Sequence, residues 1–124
     1  MNDAQVAYLV EGILILASTI FGFLLGRGGK PYGKVKLVIH LFFSLWFIVG
    51  FAFILYGNIA IRGTKVTWIP DAVIGLMIVL QIISGIRMII SKELRKSLPM
   101  IHTVSTAVIL LADIWAFIIS GNPS

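Results

Sequence analysis

Four apolar stretches, at about residues 6–26, 35–57, 70–91 and 99–120, fill nearly all of this 124-residue chain. Each has about the 20 residues that a helix needs to cross a hydrocarbon layer. A soluble domain has about a quarter of its residues charged; here 12% are charged and 59% are hydrophobic. One water-excluded core of this size cannot hide so much apolar surface, so the solvent must be a bilayer. The connections "RGGKPYGK", "NIAIRGTKVTWI" and "SKELRKSL" are short, which makes consecutive spans antiparallel neighbours. The sequence therefore predicts an all-α integral membrane protein: a single domain over 1–124, folded as an up-down-up-down bundle of four transmembrane helices.

The start "MNDAQVAY" lacks a basic region, and no small-residue cleavage site follows the first apolar stretch. The first segment is thus expected to remain as a span. The chain contains no cysteine, which excludes disulfides, thiolate metal ligands, iron–sulfur clusters and covalent haem attachment. Its net charge of +5 is distributed by topology. Arg27, Lys30, Lys34 and Lys36 flank the first connection and Arg87, Lys92, Arg95 and Lys96 the third, against Arg62 and Lys65 in the second. This positive-inside bias places the first and third connections in the cytoplasm and both termini outside, in a plasma membrane. No basic face is large enough for nucleic acid. Tyr8, Tyr56 and Trp68 are expected as an aromatic belt at the outer interface, with Tyr32 at the inner one. Pro70 and Pro99 suit first helical turns.

The two histidines of the chain carry the most chemistry. His40, in "KLVIHLFFSLW", and His102, in "LPMIHTVSTAV", begin the second and fourth spans. Both spans run in the same direction, so both imidazoles belong to one layer below the cytoplasmic surface, and in a four-helix ring these helices occupy diagonal corners. Two imidazoles facing each other across the axis are what bis-histidine ligation of a haem b needs. Gly22 and Gly26 of the first span and Gly85 of the third lie near the same depth. They serve close helix packing or clear room for a flat cofactor. Lys34, Lys36, Arg87 and Lys96 are placed to pair with propionates. An interfacial histidine taken alone is more often an ordinary amphipathic residue, and it is the coincidence of layer and diagonal that favours a cofactor. Zinc is poorly served, because the layer offers two nitrogens and no carboxylate. Met77, Met88, Met100, Trp46 and Trp115 are read as packing or interface residues, and Gln81 as an interhelical hydrogen-bonding residue.

These runs resemble a known family. "EGILILASTIFGFLLGR", "KLVIHLFFSLWFIVGFAF", "PDAVIGLMIVLQIISGIRM" and "LPMIHTVSTAVILLADI" are similar to the four core helices of cytochrome b561-type domains, over about residues 11–118. That family carries two b-type haems, each held by a histidine pair from alternate core helices. The resemblance puts the ligands of one pair on His40 and His102, and the first- and third-helix positions of the other on Glu11 and Asp71. The latter are carboxylates here. The resemblance thus implies one haem b per chain, on the cytoplasmic side, with the outer site lost or converted.

Glu11, Asp71 and Asp113 all belong to the outer half. Asp71 follows Pro70 in a first turn, where negative charge is favourable. His102, Thr106, Ile109 and Asp113 share one helix face, so Asp113 turns inward if His102 does. An acid inside a bundle is costly unless paired, protonated or hydrated. Arg62 or Lys65 would neutralise these acids; otherwise they form a polar pocket for a proton, a quinone headgroup or a metal ion. The function expected is a small membrane cytochrome b that passes single electrons to or from a quinol, a soluble carrier or superoxide. No residue is assigned a catalytic role, and a homodimer or partner subunit is compatible with the sequence. Two alternatives stand beside it: a small multidrug-type transporter exchanging protons at Glu11, and a scaffold subunit of a larger membrane complex.

Overall fold

The computed structural model describes residues 1–27, 32–61, 67–90 and 97–121. Four long helices make up almost all of it: α1 (Asp3–Arg27), α2 (Lys34–Tyr56), α3 (Trp68–Ile90) and α4 (Ser97–Ser120). All four are long and apolar enough to cross a membrane. The chain is an integral membrane protein of the all-α, four-helix class. The helices start two or three residues earlier than the apolar pattern indicates for α1, α3 and α4. At its far end α2 passes into a π-helical turn, Gly57–Ile61. Lys30, Pro31, Arg62, Lys65, Lys92, Arg95 and Lys96 lie outside the described residues.

Helix α1 begins with a reciprocal cap. Asn2 Oδ1 accepts the Gln5 amide at 2.8 Å, and the Asn2 amide donates to Gln5 Oε1 at 3.2 Å, so two otherwise orphaned donors are satisfied. The same side chains reach α4: Asn2 Nδ2 donates to the Ser120 carbonyl at 2.7 Å and Gln5 Nε2 to that of Phe117 at 3.4 Å. These bonds occupy carbonyls that the end of α4 leaves without helical partners. The two chain ends are thereby tied together at one end of the bundle.

Helix α1 packs on α2, α3 on α4, and α1 on α4, while α2 and α3 make the least contact of the neighbouring pairs. The core draws on all four helices: Ile15, Phe47, Phe51, Ile74, Ile78, Ile109 and Ala112. Phe51 reaches across the looser α2–α3 side towards Gly75. Large apolar side chains face outward in every helix, among them Phe23, Phe53, Leu76 and Leu111. In water such a surface would drive aggregation; in lipid it is the solvated face. Trp46 and Trp115 belong to it, and Met77 packs against the core.

The aromatic belt needs one correction. Tyr56 and Trp68 are well exposed, as an interface demands, but Tyr8 is only 1% exposed. Its hydroxyl has a partner inside the bundle, which is why it turns inward.

Candidate functional site

His40 and His102 meet. Their ring centroids are 6.2 Å apart with the planes inclined at 62°, and both residues are half-buried. The layer and the diagonal placement follow from chain direction: each histidine lies in the second turn of a helix running the same way. The lysines and arginine read beside them, Lys34, Lys36 and Arg87, are exposed at this end.

The hydrogen bonds fix how the two rings are protonated. His40 Nδ1 lies 2.8 Å from the Ser18 carbonyl, which can only accept, so Nδ1 carries the hydrogen and donates it. The Ser18 hydroxyl stands close by at 3.3 Å and meets Ser44 Oγ at 2.6 Å. His102 Nδ1 lies 3.0 Å from Ser84 Oγ, and Ser84 sends its own proton to the Leu80 carbonyl at 2.7 Å. With its proton so placed, the serine oxygen can accept from His102 Nδ1, the arrangement that matches His40. In a neutral imidazole this leaves the Nε2 lone pair available in both rings. Neither Nε2 takes part in a hydrogen bond among the described residues. A ring held at one nitrogen by a carbonyl or hydroxyl, with the other nitrogen presented as a lone pair, is the usual support of a metal-bound histidine.

The separation fits the same use. Two imidazoles bound to opposite sides of one metal ion, each by a bond of about 2 Å, have ring centres roughly 6 Å apart. Among the described residues no group of three or more His, Cys, Asp or Glu side chains is placed to hold a metal ion, so a protein-only cage of the zinc type is not built here. Two axial imidazoles suit a metal whose remaining ligands come from a macrocycle.

Gln81 steadies the layer. Its Nε2 donates to the His102 carbonyl at 2.6 Å, and it also contacts Ser105 Oγ and Thr106 Oγ1. It thus ties α3 to the turn of α4 that carries the histidine, as its mid-span position suggested. The glycines act differently from the expectation that they clear room for a flat group. A methyl at Gly22 would stand 2.9 Å from His40 Cε1, and one at Gly85 3.4 Å from His102 Cε1. These glycines seat the imidazoles themselves, each on the neighbouring helix. Among the described residues Gly26 has nothing within 4 Å of where a methyl would be.

The end that carries the termini holds the three acids. Glu11, Asp71 and Asp113 are 3%, 5% and 5% exposed. Thr106, Ile109 and Asp113 are buried as one face of α4, with His102 further along it. Asp71 is not merely a first-turn charge: its carboxylate accepts from the Tyr8 hydroxyl at 2.6 Å, Thr67 Oγ1 at 2.9 Å and Asn58 Nδ2 at 3.1 Å. Asn58 Nδ2 also donates to Tyr8 Oη at 3.1 Å. Glu11 and Asp113 stand apart from this network. Asp113 lies against Gly12, and a methyl at Gly50 would fall on Glu11 Oε1. The neutralising role weighed for Arg62 and Lys65 lies outside the described residues.

Tyr8, Asn58 and Thr67 as partners of Asp71, and Gly12 and Gly50 as seats for acids, are not singled out by the sequence pattern. Ser18 and Ser84 are the other omissions. The signal available for them was spacing: Gly12, Ser18 and Gly22 on α1 are small or polar residues about two turns or less apart on an otherwise bulky helix.

Comparison of the chain with protein-family models, curated proteins and solved structures finds no match.

Proposed function

We propose that the chain is a small membrane cytochrome b, in which His40 and His102 hold the iron of one b-type haem through their Nε2 atoms. The observation that carries this reading is the imidazole pair: ring centres 6.2 Å apart, with both Nδ1–H groups committed to acceptors on neighbouring helices. When bound, such a haem would supply a reversible one-electron couple, with His40 and His102 as the residues that hold it. The residues of the chain would do the rest. Ser18 and Ser84 fix which nitrogen each ring presents, Gln81 holds the turn under His102, and Gly22 and Gly85 allow the rings to sit close to α1 and α3. Lys34, Lys36 and Arg87 are suited to propionate carboxylates at the same end.

The likeness of the four spans to cytochrome b561-type domains supports the reading. The positive-inside bias supports a plasma-membrane location with both termini outside and the haem near the cytoplasmic face. A quinol or a soluble carrier is the partner in electron exchange. The transporter and scaffold readings give the imidazole pair no role.

The test is a reduced-minus-oxidised visible spectrum of the purified protein in detergent, after expression with added haem precursor. One six-coordinate b-type haem per chain is expected, lost in His40→Ala and in His102→Ala while helical content persists. A colourless wild-type protein that remains folded and does not bind added haemin rules the proposal out.

A further inference from the structure

The acids of the opposite half ask a separate question, which does not depend on a haem. Glu11 lies eight residues into α1 and Asp113 seven residues before the end of α4, each roughly 10–12 Å along its helix. Glu11 Oε2 is fully buried and has no hydrogen-bond partner. Among the described residues the charged groups that bear on the two carboxyls are acidic: Asp113 on Glu11, and Asp71 on Asp113. Gly12 of α1, next to Glu11, lies against Asp113, and α2 presents Gly50 to Glu11. Burying two carboxylates with no described cation beside them is unfavourable. A carboxyl group that carries a proton avoids that cost and gains a donor.

Asp71 is built differently. It has three donors and sits nearer the end of the bundle, in the first turn of α3. The contrast divides the acids into one carboxylate that is fully hydrogen-bonded and two that are not. The two glycines show that the space for Glu11 and Asp113 is reserved, because a methyl on either would collide with a carboxyl oxygen. We propose that Glu11 and Asp113 form a proton-binding pair, holding at least one proton between them.

Infrared spectroscopy of the full chain in lipid nanodiscs at neutral pH tests this. The wild type should show the C=O stretch of a protonated buried carboxyl, shifted to lower frequency in deuterated water. Glu11→Gln/Asp113→Asn should lose the band. Asp71→Asn, outside the pair, should keep it. A wild type with no such band at neutral pH overturns the proposal, including the case in which both groups are ionised around a bound metal cation. So does a band that survives unchanged in the double variant. If the double variant does not fold, the wild-type band and its change in Glu11→Gln alone decide the matter.

Discussion

Ser84 accepts the Nδ1 proton of His102 across 3.0 Å while giving its own to Leu80. The matching acceptor for His40 is a backbone carbonyl, that of Ser18. The two imidazoles are thus oriented by chemically different means, and substitution distinguishes them. Ser84→Ala removes the acceptor of His102, whereas Ser18→Ala leaves the carbonyl that serves His40. Loss of such a supporting partner typically weakens metal binding by about 10–100-fold. Spectral titration of the haem-free protein with haemin should show a weakening of that order for Ser84→Ala and a much smaller one for Ser18→Ala. Equal effects would mean that the serine hydroxyls do not set the tautomers.

The glycines around the rings should be unequal as well. Gly22→Ala puts a methyl 2.9 Å from His40 Cε1, so the ring or the helix must move, at a cost of about 1–3 kcal/mol. At Gly26 a methyl meets nothing within 4 Å, and alanine's better helix propensity makes Gly26→Ala neutral or stabilising by up to about 1 kcal/mol. Thermal unfolding in detergent, followed by circular dichroism, reads the difference. A Gly26→Ala variant as damaged as Gly22→Ala would contradict the seat described for His40.

How much of this was legible in the sequence follows from the solvent. Spans and their order come from long apolar runs, a signal that holds whatever the packing. The histidine layer was legible because direction and depth alone place His40 and His102 together. The roles of the small residues were not. Gly22 and Gly26 look alike in sequence, yet one touches a ring and the other nothing; helix rotation decides between them, and a helix apolar on every face gives no stripe from which to read it. Tyr8 misled for a related reason. Tyrosine favours interfaces, and only the neighbouring Asp71, Asn58 and Thr67 turn it inward.

That network yields its own prediction. Tyr8→Phe deletes the donor to Asp71 at 2.6 Å and the acceptor for Asn58, leaving the ring in place. Hydrogen bonds between membrane helices are worth about 1 kcal/mol, so a fall in stability of that size is expected, with the haem spectrum unchanged because the histidines lie at the other end. A spectral shift in Tyr8→Phe would show the two ends to be coupled.

Stability should also respond to pH through the unpartnered acids. If the folded bundle holds a proton on Glu11 or Asp113, raising the pH removes it and leaves a buried charge. The melting temperature therefore falls as pH rises, and stability is greatest on the acid side. Glu11→Gln, which keeps the shape without the charge, should flatten that slope. A wild-type profile that rises with pH, or a slope unaltered by Glu11→Gln, would go against a protonated pair.

The bonds from Asn2 and Gln5 to the last turn of α4 also bear on how the molecule is made. Helices emerge from the ribosome in order, and α1 must wait for the final segment before its second flank is covered. Until α4 arrives, Gly12 lacks its aspartate neighbour and Glu11 has Gly50 of α2 but not Asp113 near it. Among these four helices the α1–α4 contact is therefore among the last to form, and until it does the acid-bearing seam of α1 stays uncovered on that flank.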